Sequence, residues 1–392
     1  MTPGARVAAA IAILDDWLAG GDGADRLLAA WGRASRYAGS GDRQAVADLV
    51  YDALRRLRST AWVAGADTPS GRSALIGSLR LDGRDPAPRF TGEGHAPAPL
   101  ASCEAPRDLA AAPEAVRLDL PDWLMPHLEA VPRAALEALR HRAPLDLRVN
   151  RLKADPPAAV AALAAEGIAA VPGPLAPDCL RVTEGARRVA RSRAYLDGLV
   201  EIQDAASQAV AAISPPQPGE TVLDFCAGGG GKTLALGAAM AGRGRLVAHD
   251  ISAARLGALR PRAERAGLAV ECLPPGATGS VAGACDLVFV DAPCSGSGAW
   301  RRNPDAKWRL TPQRLDALIA TQDQVLDDAA RAVRPGGRLV YATCSILVEE
   351  NAARVAAFLA RDKRFTLEGA PLALLPGEDA GDGFFAAILR RA

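Results

Sequence analysis

The sequence predicts an α/β fold: a doubly wound, mostly parallel sheet in the C-terminal half, preceded by a small α/β unit and a helical N-terminal region. Three observations predict it. From Gly219 onward, short apolar strands alternate with helical stretches. The first of these strands runs into a glycine-rich turn, Leu223-Asp-Phe-Cys-Ala-Gly-Gly-Gly-Gly-Lys-Thr233. Near the N-terminus, by contrast, apolar residues recur at helical spacing.

Residues 1 to about 66 read as helices, with Val7, Ile11, Leu14 and Leu18 on one face and Val46, Leu49, Val50, Leu54 and Leu57 on another. Ser40-Gly-Asp42 is a helix start for the second run. From Thr68 to about Pro113 the chain is rich in Pro, Gly and Ala, which predicts one short helix over Ser73 to Leu81 and then a flexible stretch. Pro121-Asp-Trp-Leu-Met opens another helical stretch, to about Arg142. Leu145 to Leu152 alternates like a strand, and Pro156 to Gly167 reads as a helix with proline at its start and glycine at its end. Cys179–Thr183 and Gly198–Ile202 are further strands, and Gln203 to Ile213 is the helix leading onward. In the last domain the predicted strands are Thr221–Phe225, Arg245–Asp250, Leu287–Asp291 and Arg338–Tyr341. The predicted helices are Lys232–Met240, Ala253–Ala266, Pro312–Arg334 and Glu349–Ala360.

At 392 residues the chain has room for two or three domains, and an apolar fraction of 49% supplies their cores. The net charge of +1 creates no global field, so any nucleic-acid contact would run through a local basic surface. Lysine occurs only at 153, 232, 307 and 363, which makes Lys232, inside the glycine turn, informative. Seven cysteines without a Cys-x-x-Cys pair, and only four histidines, argue against structural zinc, and no metal is expected. The odd cysteine count and the absence of a signal peptide point to a reducing cytoplasm. Met1 to Leu18 is interrupted by Arg6, Asp15 and Asp16, so it reads as neither a secretory segment nor a membrane span.

In an open α/β sheet the carboxyl ends of the strands face the ligand crevice. Three such ends carry the glycine turn and two thiols. Cys294 follows the strand ending in Asp291-Ala-Pro, and Cys344 follows Leu339-Val-Tyr-Ala-Thr. Adjacent glycines let a backbone approach a ligand closely. Gly231-Lys232-Thr233 is close to a phosphate loop, but that motif needs a glycine where Cys226 stands. Asp250 ends the next strand about twenty residues on, where an acidic residue takes ribose hydroxyls. A nucleoside cofactor is therefore favoured over a triphosphate or a purely structural turn. Cys294 precedes Ser-Gly-Ser-Gly, a loop composition, and Cys344 precedes an acidic helix start that would favour its thiolate. For Cys103, Cys179, Cys272 and Cys285 inert packing is the default. Trp300 to Arg309 mixes Arg301, Arg302, Lys307 and Arg309 with two indoles, a composition that holds phosphates and stacks bases, or else a solvated loop with Trp308 on the core. Arg148 and Asn150 share one strand face and either contact RNA or cap the small sheet.

This ordered set, together with Arg301-Arg-Asn-Pro-Asp305, Asp204-Ala-Ala-Ser-Gln208 and Asp382-Gly-Phe-Phe385, resembles the RNA 5-methylcytosine methyltransferases of the Nop2/Sun (RsmB-like) family over about 140 to 392. Gly41-Asp-Arg and Leu49-Val-Tyr-Asp-Ala-Leu-Arg55 are similar to the NusB-like helical domain of its RsmB branch. The resemblance implies a NusB-like RNA-binding domain over 1–140, a small ferredoxin-like RNA-binding domain over 141–205 and a Rossmann-type catalytic domain over 206–392. It implies S-adenosylmethionine as cofactor, S-adenosylhomocysteine as product and RNA as partner, with no DNA or membrane partner and a monomeric state. Cys226, Ala227, Gly228, Gly229, Gly230, Gly231 and Lys232 would form the cofactor turn, with Asp250 on the ribose and Arg255 beside it. Asp291 would lie beside cofactor and base, Lys232 would join the catalytic group, Cys344 would be the nucleophile and Cys294 would assist product release. Two departures stand out. The family's Ala-Pro-Gly-Gly is Gly228-Gly-Gly-Gly231 here, and Glu271-Cys-Leu-Pro-Pro-Gly276 lacks the acidic residue the family carries near the adenine.

The expected substrate is ribosomal (16S) RNA, with transfer RNA as the alternative. DNA cytosine methylation, a non-catalytic RNA-binding assembly factor and a P-loop ATPase are the competing readings.

Overall fold

Helical spacing near the N-terminus becomes α1 (Pro3–Leu18), α2 (Ala24–Ala34), α3 (Ser40–Arg55), α4 (Leu57–Val63) and α5 (Gly71–Leu81) in the computed structural model, which describes residues 1–377 and 380–392. Proline at the first position and the Thr2 hydroxyl, which accepts from Ala5 N at 3.2 Å, start α1. Ser70 starts α5 in the same way, accepting from Ser73 N at 3.1 Å. The predicted faces meet: Val7, Leu14, Val46, Val50, Leu54 and Leu75 form one buried cluster. Where α4 and α5 cross, only a glycine fits, because a Cβ on Gly77 would lie 1.8 Å from the Thr60 carbonyl oxygen.

The Pro/Gly-rich stretch after Leu81, expected to be flexible, is tied down. Arg72 donates to the Ala98 and Pro99 carbonyls, each at 2.9 Å, and pairs with Glu104 at 2.6 Å. Arg80 donates to the carbonyls of Val63 and Glu104 at 3.0 and 2.7 Å. Long cationic side chains thus supply the donors that a proline-rich backbone lacks. The helical stretch expected from Pro121 is broken by Pro126 and Pro132 into a 3-10 segment, Asp122–Leu128, and a helix, Arg133–Ala138.

The chain divides into two units, one of Met1–Arg142 with Trp300–Arg309, the other of Ala143–Ala299 with Leu310–Ala392. The excursion at 300–309 differs from the single stretch 206–392 read from the sequence. Its residues are taken up by the helical unit: Lys307 donates to the Arg55 carbonyl at 3.1 Å and Trp308 to that of Leu54 at 2.7 Å. Asp305 accepts from Trp17 Nε1 at 2.5 Å and from Ala24 N, the first residue of α2, at 3.3 Å.

The second unit holds two sheets. β1 (Leu145–Val149), β2 (Ala169–Pro172), β3 (Cys179–Glu184) and β4 (Val200–Ile202) pair antiparallel in the order β2-β3-β1-β4, with the helix Pro156–Ala165 alongside. β2 escaped the sequence reading because it is a mostly exposed edge without alternation. The larger sheet contains β5 (Thr221–Asp224), β6 (Arg245–His249), β7 (Glu271–Leu273), β8 (Cys285–Asp291), β9 (Val333–Thr343), β10 (Phe365–Leu374) and β11 (Phe384–Arg391) in the order β10-β11-β9-β8-β5-β6-β7. β7, β6, β5, β8 and β9 run parallel, and β11 and β10 join antiparallel. The strand order reverses between β5 and β8, the switch point at which such sheets bind ligands.

Asn150 and Lys153, after β1, cap the end of the helix Ala253–Ala266 beside the larger sheet. Asn150 Nδ2 donates to the Ala266 carbonyl at 2.9 Å and Lys153 Nζ to that of Arg265 at 2.7 Å. The Glu201 carboxylate of β4 accepts from Arg262 at 3.0 Å and also from Arg265.

Candidate active site

The glycine turn leaves β5 and is shaped by its two neighbours. Phe225 N donates to the Phe289 carbonyl of β8 at 2.8 Å, and Ala227 N to the His249 carbonyl of β6 at 2.9 Å. Gly228 and Gly230 take positive φ, +54° and +85°, and a Cβ on Gly230 would lie 2.0 Å from Leu259 Cδ1. Gly228 N donates to Asp250 Oδ2 at 2.9 Å, so the acidic end of β6 lies against the turn, with Arg255 Nη1 3.9 Å from the same oxygen. Gly229 is held through its carbonyl by Arg262, and Gly231 through its carbonyl by Gln203 Nε2 at 3.3 Å.

These residues fit a nucleoside cofactor. A Cβ on Gly228 would meet open space, Ile251 beside Asp250 is 85% exposed, and Asp224 Oδ1 is buried with no hydrogen-bond partner. Burial pushes the Asp224 carboxyl up to about 7, although the Thr233 hydroxyl donates to its other oxygen at 2.6 Å. Burial likewise pushes the Cys226 thiol up, and Cys226 belongs to the turn as a packing group.

Lys232 Nζ sits 2.6 Å from Asp291 Oδ2, and 5.0 Å from the Phe384 ring centroid. Burial disfavours its ammonium, but the Asp291 carboxylate more than reverses this and its pKa is raised. Cys294 and Cys344 come together, with sulfurs 3.4 Å apart. The Cys344 hydrogen-bonding partner and burial push the Cys294 thiol well above its ordinary value. The helix expected at Glu349 begins instead at Ala352, after a 3-10 turn, Val348–Glu350. Two other motifs also converge: Asp204 caps the helix Ala205–Ala211 and accepts from Asp382 N at 3.1 Å.

The side chains read as RNA contacts are placed differently. Arg148 is buried, donating to Gln203 Oε1 at 2.6 Å, and burial pulls its guanidinium down to about 10. Asn150 serves as the helix cap already described, which leaves it no face for RNA. Arg301 and Lys307 are buried in the helical unit, and Arg309 is engaged by Asp305 and the Gly21 and Asp22 carbonyls. Arg302 lies on the surface. Composition marked this segment as basic and aromatic but could not show that its cations turn inward. Among the other cysteines, Cys179 and Cys285 are buried, with thiols pushed up by burial to about 12 and about 11, and Cys103 is exposed.

Sequence reasoning missed Gln203, Gln322 and Glu350. Each is a buried polar residue beside a functional loop, and their positions carry no signal in sequence beyond polarity inside an amphipathic stretch. Among the described residues no group of three or more His, Cys, Asp or Glu is arranged to hold a metal, and no helix is long and apolar enough to cross a membrane.

A family model described as 16S rRNA methyltransferase RsmB/F matches residues 211–390, and one described as the ferredoxin-like domain of RsmF/B-like methyltransferases matches 120–189. The Ribosomal RNA small subunit methyltransferase B of Sodalis glossinidius (strain morsitans) is 38% identical over 280 residues, covering 68% of this chain and 64% of that protein. Its namesake in Pasteurella multocida (strain Pm70) is 35% identical over 292 residues, covering 69% and 65%. The chain belongs to the RsmB-like (Nop2/Sun) family. It spans just under two thirds of the length of these RsmB-named relatives. The crystal structure of PH0851 has the same fold, with a TM-score of 0.78 at 23% identity over 100% of this chain and 99% of that one. A methyltransferase homolog protein from Pyrococcus horikoshii gives a TM-score of 0.62 at 25% identity, over 71% of this chain and 97% of that one.

Proposed function

We propose that this protein transfers a methyl group from S-adenosylmethionine to carbon 5 of a cytidine in 16S ribosomal RNA, through a covalent bond between Cys344 and carbon 6. The observation that carries this reading is the pair of sulfurs 3.4 Å apart, on loops that follow β8 and β9, with the Lys232–Asp291 pair at the end of β8. The names of the relatives favour ribosomal over transfer RNA as substrate.

Carbon 5 of cytosine is a poor nucleophile. Addition of the Cys344 thiolate to carbon 6 forms a carbon–sulfur bond and makes the ring enamine-like, with carbon 5 nucleophilic. S-adenosylmethionine, when bound, supplies a methyl group on a sulfonium and leaves as S-adenosylhomocysteine. The glycine turn, Asp250 and Arg255 would hold its nucleoside portion. Asp291, fixed by the Lys232 ammonium, accepts a hydrogen bond from N3 once N3 has taken up the proton given up by the Cys344 thiol, and so stabilises the charge that forms on the ring as sulfur adds to carbon 6. After transfer the carbon 5 proton must leave, and the electron pair of the carbon 6–sulfur bond returns to Cys344. Because its pKa is raised, Cys294 enters as a thiol, and it orients the water molecule that takes this proton. The base has to be unstacked to reach this site. On this reading the helical unit is NusB-like and binds RNA, and the protein works as a monomer in the cytoplasm.

Two variants test the reading on 16S ribosomal RNA, with bisulfite mapping and denaturing gels. Cys344→Ala is expected to lower methylation by about 10⁴-fold or more and to form no adduct. Cys294→Ala is expected to accumulate a protein–RNA adduct that survives denaturation. Interchanged behaviour would reverse the two roles, and the absence of any adduct would remove the covalent mechanism.

A further inference from the structure

Cys294 lies in a loop, yet both peptide groups flanking it are fastened from behind. The Pro293 carbonyl accepts from Gln322 Nε2 at 2.9 Å, and Ser295 N donates to Glu350 Oε1 at 2.8 Å. Gln322 Nε2 also donates to Glu350 Oε1 at 3.0 Å, and the Ser295 hydroxyl donates to Glu350 Oε2. Glu350 itself is 0% exposed, and its backbone carbonyl is held by the Tyr341 hydroxyl at 2.7 Å. Cys344 is secured separately: its carbonyl accepts from Gly298 N at 3.0 Å, and Ser345 Oγ meets Ser297 Oγ at 2.9 Å.

Among the described residues no cation pairs with Glu350. A buried carboxylate is expensive even when hydrogen-bonded, and neutral side chains can fasten a loop without that cost. Its negative charge therefore has a use. It faces the Cys294 side of the thiol pair, where it adds to the effect of Cys344 and of burial in opposing ionisation of Cys294.

The geometry points to Glu350 as a positioning residue that, together with Gln322, fixes the Cys294 thiol against Cys344 for the release step. This rests on the covalent methyl transfer proposed above. Glu350→Gln preserves shape and the acceptor for Ser295 N while removing the charge. Gln322→Met leaves Glu350 in place and frees the Pro293 carbonyl. Formation and decay of the RNA adduct are followed in single turnovers on denaturing gels, and iodoacetamide labelling of Cys294 and Cys344 is mapped by mass spectrometry as a function of pH. In both variants adduct formation is expected at the wild-type rate, with decay slower by about tenfold or more. In Glu350→Gln, labelling of Cys294 is expected to begin at lower pH. Unchanged decay, or formation slowed as much as decay, would overturn the assignment, because a purely structural loss affects both steps. The Cys294→Ala protein, run alongside, separates the two levels. If it traps no adduct, the covalent reaction itself fails; if it traps adduct while both other variants release normally, only the role of Glu350 fails.

Discussion

Asp224 shows what a single buried carboxyl contributes beneath the glycine turn. Burial raises it to about 7 in the folded state, against an ordinary carboxylate value of about 4 when unfolded. The folded protein therefore holds this proton more tightly than the unfolded chain. The stability it contributes is fully present below about pH 4 and is lost as pH rises through about 7. Asp224→Asn retains an acceptor for Thr233 and cannot ionise. Its thermal midpoint is expected to match wild type near pH 4 and to exceed it increasingly up to pH 8, by the equivalent of roughly 4 kcal/mol. Parallel melting curves across that range would mean that Asp224 does not titrate in the native protein. At this scale the sequence was legible where chemistry dictates residue type: Cys294, Cys344, Lys232, Asp250 and Asp291 stand at strand ends or turns recognisable in one dimension. It was not legible where burial decides the role. Arg148 and Lys307 look like surface cations in sequence, and only the packing around them shows that they donate inward to Gln203 and to the Arg55 carbonyl.

Among elements, the turn between β5 and the helix Gly231–Ala239 depends on position-specific backbone geometry. Gly230→Ala places a methyl at positive φ and against Leu259, two penalties that together cost about 2–4 kcal/mol. Gly229→Ala, whose φ is not positive, would meet only the Arg262 guanidinium, at 3.2 Å. Calorimetric titration with S-adenosylhomocysteine is expected to show binding lost in the first variant and largely kept in the second. Equal losses would mean that the turn tolerates no side chain at all. Strands with continuous apolar runs, β5, β6 and β8, could be read directly. β10 could not, because its outer face is exposed and its residues do not alternate. The prolines at 126 and 132 were visible as residues, but the neighbouring periodicity hid how completely they divide that helix.

For the molecule as a whole, the helix Ala253–Ala266 is one of the elements that tie the small sheet to the larger one. Glu201 of β4 takes two arginines of the helix Ala253–Ala266, so Glu201→Ala leaves both without their carboxylate and is expected to destabilise the second unit by about 3 kcal/mol, read by urea unfolding. An unchanged midpoint would mean that the helix-capping bonds of Asn150 and Lys153 suffice. The placement of Trp300–Arg309 has a consequence for biosynthesis. Domains commonly fold in the order in which they leave the ribosome. Here the N-terminal helices emerge early, but Lys307 and Trp308 reach their seats on α3 only after more than half the strands of the larger sheet have been translated. A nascent chain stalled before residue 300 should therefore carry an unfinished N-terminal core, open to chaperones and proteases until those ten residues arrive.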